Sequence, residues 1–145
     1  MDIKVINMTK RVLAFGSFDL VHKGHEYYLN EAKKLGTELV VVVARDETIE
    51  TFKGKKPTNS ENQRKEDVEV LEIANEVVLG NSLKNSNKFK IVEDYRPDVI
   101  ALGYDQKEDP ETIKQRANLL GWKLDVVRVA PFEPEKYKSS LLKKN

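Results

Sequence analysis

The chain has no cysteine. That excludes a disulfide frame, a thiolate metal site and any thiol chemistry. Charge of one sign is lacking too: 25 Lys and Arg against 24 Asp and Glu leave a net charge of +1. Such a balance argues against a nucleic-acid partner or a membrane surface. No apolar run approaches the ~18 residues of a membrane span. Met1-Asp2-Ile3-Lys4 has no signal-peptide character. Repeats and low-complexity segments are missing. The 145 residues suit one domain, 1–145, with a core that needs no staples. A cytoplasmic enzyme or binding domain is the expectation. Histidine is also scarce: there are two, three positions apart.

Those two sit in Gly16-Ser17-Phe18-Asp19-Leu20-Val21-His22-Lys23-Gly24-His25. The stretch follows an apolar run, Arg11 to Phe15, and precedes a segment with helical periodicity. The order is strand, glycine turn, helix N-terminus. A junction of this kind points backbone N–H groups and the positive helix end at one spot, which suits a phosphate. Residues i and i+3 share a face, so His22 and His25 reach one anion, and Gly24 leaves room for its approach.

The rest of the chain alternates strands and helices. Residues 11–16 form the first strand. A helix over 23–35 follows, with Gly36 as its C-cap and Tyr27 and Tyr28 as packing residues. Glu38 to Ala44 is an unbroken valine-rich run, the mark of a parallel strand covered on both faces. Lys53-Gly54-Lys55-Lys56-Pro57 reads as a mobile basic loop. Ser60 and Gln63 form a capping box for a helix running to Ile73. Strands follow at 76–80, 98–103 and 124–129, with helices at 89–95 and 110–120. Residues 81–88 are a polar loop or helix entry, and a last short helix opens near Ser139-Ser140. In an open parallel sheet, ligands sit beyond the strands' C-terminal ends where the strand order reverses. With order 3-2-1-4-5, Gly16-Ser17-Phe18 then faces Gly103-Tyr104-Asp105-Gln106 across that crevice. The expected fold is a Rossmann-like, doubly wound, parallel five-stranded sheet with helices on both faces.

Gly16, Phe18, Asp19, His22, Gly24 and His25 match the pattern G-x-F-D-x-x-H-x-G-H. This resembles the signature of the cytidylyltransferase-like nucleotidyltransferases. The resemblance implies transfer of a nucleoside monophosphate to a phosphate-bearing acceptor, with pyrophosphate released. It implies His22, His25, Lys53 and Lys55 as catalytic groups, with Lys56 a further candidate. It places the nucleotide on Gly16, Ser17, Phe18, His22, Gly24, His25, Arg64, Gly103, Tyr104, Asp105, Gln106, Ser139 and Ser140. Mg²⁺ is expected with the triphosphate, held mainly by substrate oxygens and water, with no protein metal ligands assigned. Asp19 either holds the turn or meets the metal shell. For Arg64 a surface ion pair is the competing reading. A homodimer is usual in the family.

Ala101 to Gln106, Val43-Ala44-Arg45-Asp46 and Lys53 to Pro57 look most like the archaeal FAD synthase branch. That implies ATP and FMN as substrates. One alternative is a glycerol-3-phosphate cytidylyltransferase using CTP, against which the missing R-T-E-G-I-S-T motif counts; Lys136 or Lys138 would have to replace its arginine. Another is a sugar-phosphate nucleotidyltransferase of the lipopolysaccharide-precursor type. A third, of a different class, is a nucleotide-binding regulatory module without turnover.

Overall fold

The valine run decides the architecture. Leu39 to Val43 is buried at every position, so apolar layers must cover both faces of its strand. The computed structural model describes residues 9–82 and 89–131. Within them five parallel strands are ordered β3-β2-β1-β4-β5, as the sequence predicts. They are β1 (Arg11–Gly16), β2 (Glu38–Val43), β3 (Glu76–Leu79), β4 (Val99–Leu102) and β5 (Asp125–Arg128). The helices are α1 (Lys23–Lys33), α2 (Asp46–Lys53), α3 (Glu61–Glu69), α4 (Lys90–Tyr95) and α5 (Pro110–Leu119).

Alternate strand residues feed two cores. Val12, Ala14, Val41 and Val43 pack on one face with Leu29 and Ala32 of α1 and Val68 of α3. Leu13, Val40, Val42, Ile100 and Leu102 pack on the other with Val92 of α4 and Ala117 of α5. The reversal of order falls between β1 and β4, whose ladder runs only from Val12↔Val99 to Ala14↔Ala101. Against β2, β1 continues to Gly16.

Several boundaries differ from the sequence reading. Helix α1 stops at Lys33, capped by Lys34 in right-handed geometry, and Gly36 is not its cap. Gly36 serves close approach instead: a Cβ there would lie 2.5 Å from the Lys10 carbonyl oxygen. Helix α3 ends at Glu69 and does not reach Ile73, because Glu72 takes a positive φ of 56°. Helix α2 has no counterpart in the sequence reading, and its last residue, Lys53, is the first residue of the stretch read as a mobile basic loop. Its acidic first turn, Asp46 and Glu47, its last-turn Lys53 and its left-handed cap Gly54 are a complete set of helix signals. The final helix and most of the polar 81–88 segment lie outside the described residues.

Gly36→Ala is expected to cost about 1–3 kcal/mol, because the obstacle is main chain and cannot rotate away. A lowered urea midpoint with an unchanged slope checks this.

Candidate active site

After Gly16 the chain turns sharply, and two non-glycine residues in the turn adopt the left-handed region: Phe18 at φ 54° and Leu20 at φ 62°. Each conformation costs roughly 1–2 kcal/mol, so something must hold the turn. Phe18 does so from below. Its ring is buried and occupies the space a side chain at position 16 would need: a Cβ on Gly16 would lie only 2.7 Å from the ring. Asp19 holds the turn from the side. Its carboxylate accepts from Thr58 N at 2.7 Å and Asn59 N at 2.9 Å. Burial alone would raise the Asp19 pKa. The two backbone N–H groups and the Arg64 guanidinium outweigh it and hold the carboxyl below its ordinary value. With both oxygens engaged by main chain, Asp19 reads as a turn holder rather than a metal ligand.

Arg64 is the third support, and it is no surface residue. It has no exposed area. Its guanidinium donates to Ser17 O and Ala44 O, both at 2.7 Å, to Asn59 O at 3.0 Å and to Asp46 Oδ1 at 2.7 Å. It joins the ends of β1 and β2, the start of α2 and the loop before α3.

The two histidines cap α1. His22 is the N-cap, and its Nδ1 accepts from Gly24 N at 3.0 Å. His25 reaches back, its Nδ1 accepting from His22 N at 3.1 Å. This is a capping box in which imidazoles replace the usual Ser and Glu. Both Nδ1 atoms are therefore lone-pair acceptors, so each neutral ring carries its proton on Nε2. The ring centroids are 4.0 Å apart. Burial, reinforced by the neighbouring His22 and opposed by Asp105, pushes His25 down to about 4. Burial also lowers His22. Gly24 has a sharper role than leaving room for an anion: a Cβ there would lie 2.8 Å from His22 Cε1, so the absent side chain makes room for the capping ring.

Across the crevice, side chains replace ladder bonds where β1 and β4 part. The Tyr28 hydroxyl donates to Ala101 O at 2.6 Å and accepts from Phe15 N at 3.3 Å. Gln106 Nε2 donates to Phe15 O at 2.7 Å, and its Oε1 accepts from Gly103 N at 3.1 Å. Arg128 of β5 then fixes the loop, donating to the carbonyls of Gly103 (2.9 Å), Gln106 (2.5 Å) and Glu108 (3.1 Å). Tyr104 and Asp105 are left at the exposed tip. Above both stretches lies a cleft of about 1220 Å³, lined by Gly16-Ser17-Phe18, Gly24, both histidines and Gly103 to Gln106.

The cytidylyltransferase-like family matches residues 13–145. The chain belongs to that family. Curated relatives named FAD synthase include one from Aciduliprofundum boonei, 48% identical over 84% of this chain and 79% of the relative. Another, from Thermococcus sibiricus, is 41% identical over 92% of this chain and 86% of the relative. A solved structure described as the lipopolysaccharide core biosynthesis protein from Thermoplasma volcanium superposes with a TM-score of 0.78. It is 42% identical and covers 86% of this chain and 98% of its own.

Within this cytidylyltransferase-like site the expected residues do not all converge. Lys53 lines the cleft, but Lys55 is not among the described residues lining it. Lys56 lies at a separate recess with Asp46 and Glu50. Ser139, Ser140, Lys136 and Lys138 fall outside the described residues. Arg45, on the cleft wall, carries no sequence expectation of its own; it donates to Gly80 O at 2.7 Å and pairs with Glu61 at 3.3 Å. Tyr28 and Arg128 were likewise illegible in these roles, because their partners are carbonyls far away in sequence. Among the described residues no His, Asp and Glu group is placed to hold a metal ion.

Arg64→Leu is expected to destabilise the fold by about 3–5 kcal/mol, since it orphans buried carbonyls and the Asp46 carboxylate. Lysine should rescue little, because one ammonium cannot reach four separated acceptors; denaturant titration reads both variants. The His25 imidazole should titrate by NMR near 4. The unfolded chain takes up this proton first, so stability is complete above about 6.5 and declines as pH falls toward 4, by about 3 kcal/mol in all. His25→Asn should flatten that decline.

Proposed function

We propose that the chain transfers AMP from ATP to the phosphate of FMN, giving FAD and pyrophosphate. The observation that carries this is the imidazole pair, two neutral Nε2–H donors fixed by their own helix caps at the mouth of a nucleotide-sized cleft. The names of the archaeal relatives supply the substrate pair.

In the reaction an oxygen of the acceptor phosphate attacks the α-phosphorus of ATP. A new P–O bond forms as the bond to the bridging oxygen of the β-phosphate breaks, and pyrophosphate carries away the electron pair. No covalent protein intermediate is required, so the protein works by positioning and by stabilising charge. His22 and His25 donate from Nε2 to phosphate oxygens whose charge grows in the transition state. Lys53 offsets charge from the α2 side. Asp105 accepts from a ribose hydroxyl, while Gln106 and Arg128 hold its loop. Arg64 acts through the turn, since four of its five N–H donors are spent on the chain. Mg²⁺ would accompany the triphosphate, held by substrate oxygens and water, and would offset its charge.

A second reading has a specific source, the Thermoplasma volcanium structure described by lipopolysaccharide core biosynthesis. It would replace FMN with a sugar phosphate.

Pyrophosphate release decides between them when ATP or CTP is crossed with FMN, glycerol 3-phosphate or a sugar phosphate. Turnover with ATP and FMN is expected. Turnover only with a sugar phosphate or with CTP would overturn the assignment, and silence in every pair would point to a binding module. His25→Asn keeps the cap acceptor but removes the Nε2–H. It should lower kcat by about 10²–10³ with little change in ATP affinity. His25→Ala should lose the same rate and stability as well.

A further inference from the structure

Neighbouring strands in the sheet bond one rung past their ends, with one exception among the described residues. Ala44 N donates to Gly16 O at 2.9 Å between β2 and β1, Gly80 N to Val43 O at 2.9 Å between β3 and β2, and Val129 N to Leu102 O at 2.7 Å between β5 and β4. Between β1 and β4 the register Ala14↔Ala101, carried two residues on, sets Gly16 opposite Gly103. In that parallel ladder the next rung would run from Gly103 N to Phe15 O. Gln106 occupies it instead. Its Oε1 accepts from Gly103 N at 3.1 Å and its Nε2 donates to Phe15 O at 2.7 Å. The donor and acceptor that would have met each other meet the two ends of one amide. Gln106 also closes the turn that carries it, its N donating to Gly103 O at 3.2 Å. Arg128 holds the carbonyls of Gly103 and Gln106 from β5, so the amide is fixed before any ligand arrives. The facing pair that it parts is glycine on both strands, so neither contributes a side chain to fill the gap. Gly16, Gly103 and Gln106 all line the cleft.

We propose that Gln106 is a spacer: its amide keeps the tips of β1 and β4 apart and so fixes the opening in which the nucleotide sits. It is a positioning residue for the transfer, acting through the main chain of Phe15 and Gly103. This rests on the nucleotide-transfer reading above and adds what sets the width of its crevice. A reversal of strand order places a crevice, but it does not stop two strand tips from closing by one more ladder bond. Both groups needed for that bond are present here and in register. A small apolar residue at 106 would leave them facing each other in a partly buried place, and main-chain groups so placed pair. Closure would draw Gly103-Tyr104-Asp105 toward Gly16-Ser17-Phe18 and narrow the mouth between them.

Two variants separate a spacer from a simple loop brace. Gln106→Ala frees the two groups to bond directly. Its urea midpoint should stay at or above the wild-type value, while ATP affinity, read by titration calorimetry, falls about tenfold or more. Gln106→Met keeps the length but can pair with neither group. Its midpoint should fall, while ATP affinity stays within about threefold. NMR couplings across hydrogen bonds read the rung itself. The Gly103 nitrogen should couple to the Gln106 side-chain carbonyl carbon in the wild type and to the Phe15 carbonyl carbon in Gln106→Ala. An alanine variant that is less stable and lacks the new coupling would show a brace and overturn the proposal. So would one that fails to fold, one that binds ATP like the wild type, or a folded methionine variant that binds ATP more weakly than the alanine variant. Should Gln106→Met fail to fold, Gln106→Ala decides alone. If the wild type binds no ATP, the nucleotide reading fails, and the couplings still decide whether Gln106 parts the strands.

Discussion

Arg64 donates four hydrogen bonds from a side chain with no solvent-exposed surface. A charge removed from water is costly unless its donors are satisfied. Here three carbonyls and one carboxylate meet it, and each belongs to a different part of the active end: the turn after β1, the tip of β2, the start of α2 and the loop before α3. Together with the buried Phe18 ring, that fastening holds the strained backbone at Phe18 and Leu20 against the two strand tips. Asp19 adds the reciprocal tie, drawing Thr58 and Asn59 toward the same turn. The histidines inherit their positions from this arrangement, since α1 begins where the turn releases the chain.

The other half of the site is built on a shortage of ladder bonds. Where β1 and β4 diverge, Phe15 would be left with an unmet donor and acceptor in a partly buried place. The Tyr28 hydroxyl and the Gln106 amide meet them. The crevice can thus open between neighbouring strands without orphaning the main chain. Gln106, expected to meet the nucleotide, is occupied in holding the site's wall, and Arg128 braces the same loop from β5. Tyr104 and Asp105 form the exposed tip at this end.

Strand order and the position of the cleft were legible because their signals are local and of one period: an unbroken valine run, a glycine turn, and both histidines at one junction. What was missed is either weakly periodic or non-local. Helix α2 has one buried apolar residue, Ile49, too little for a periodic stripe, and its terminal lysine drew attention to the basic run beyond it. Arg64 lies in Glu61-Asn62-Gln63-Arg64-Lys65-Glu66, where nothing in the pattern tells an inward cation from an outward one. Arg45 and Arg128 bond to carbonyls, which every residue carries, so no partner residue type betrays them. In the sequence Gly36 reads as a helix C-cap and Gly24 as room for an anion; the groups that crowd them are Lys10 and Val12, a strand away, and the His22 ring two residues before.

The imidazole capping box also limits what these histidines can do. In each ring the basic lone pair belongs to Nδ1 and is already directed at a main-chain N–H, while the outward nitrogen holds a proton. Two imidazoles 4.0 Å apart would ordinarily invite zinc or copper, or supply a nucleophile for a phosphoryl intermediate. Here either role would require a ring to change tautomer and surrender a cap. The pair is thereby kept chemically quiet, a donor surface insulated from adventitious metals and from self-phosphorylation. Folding the first turn of one helix is what imposes that restraint.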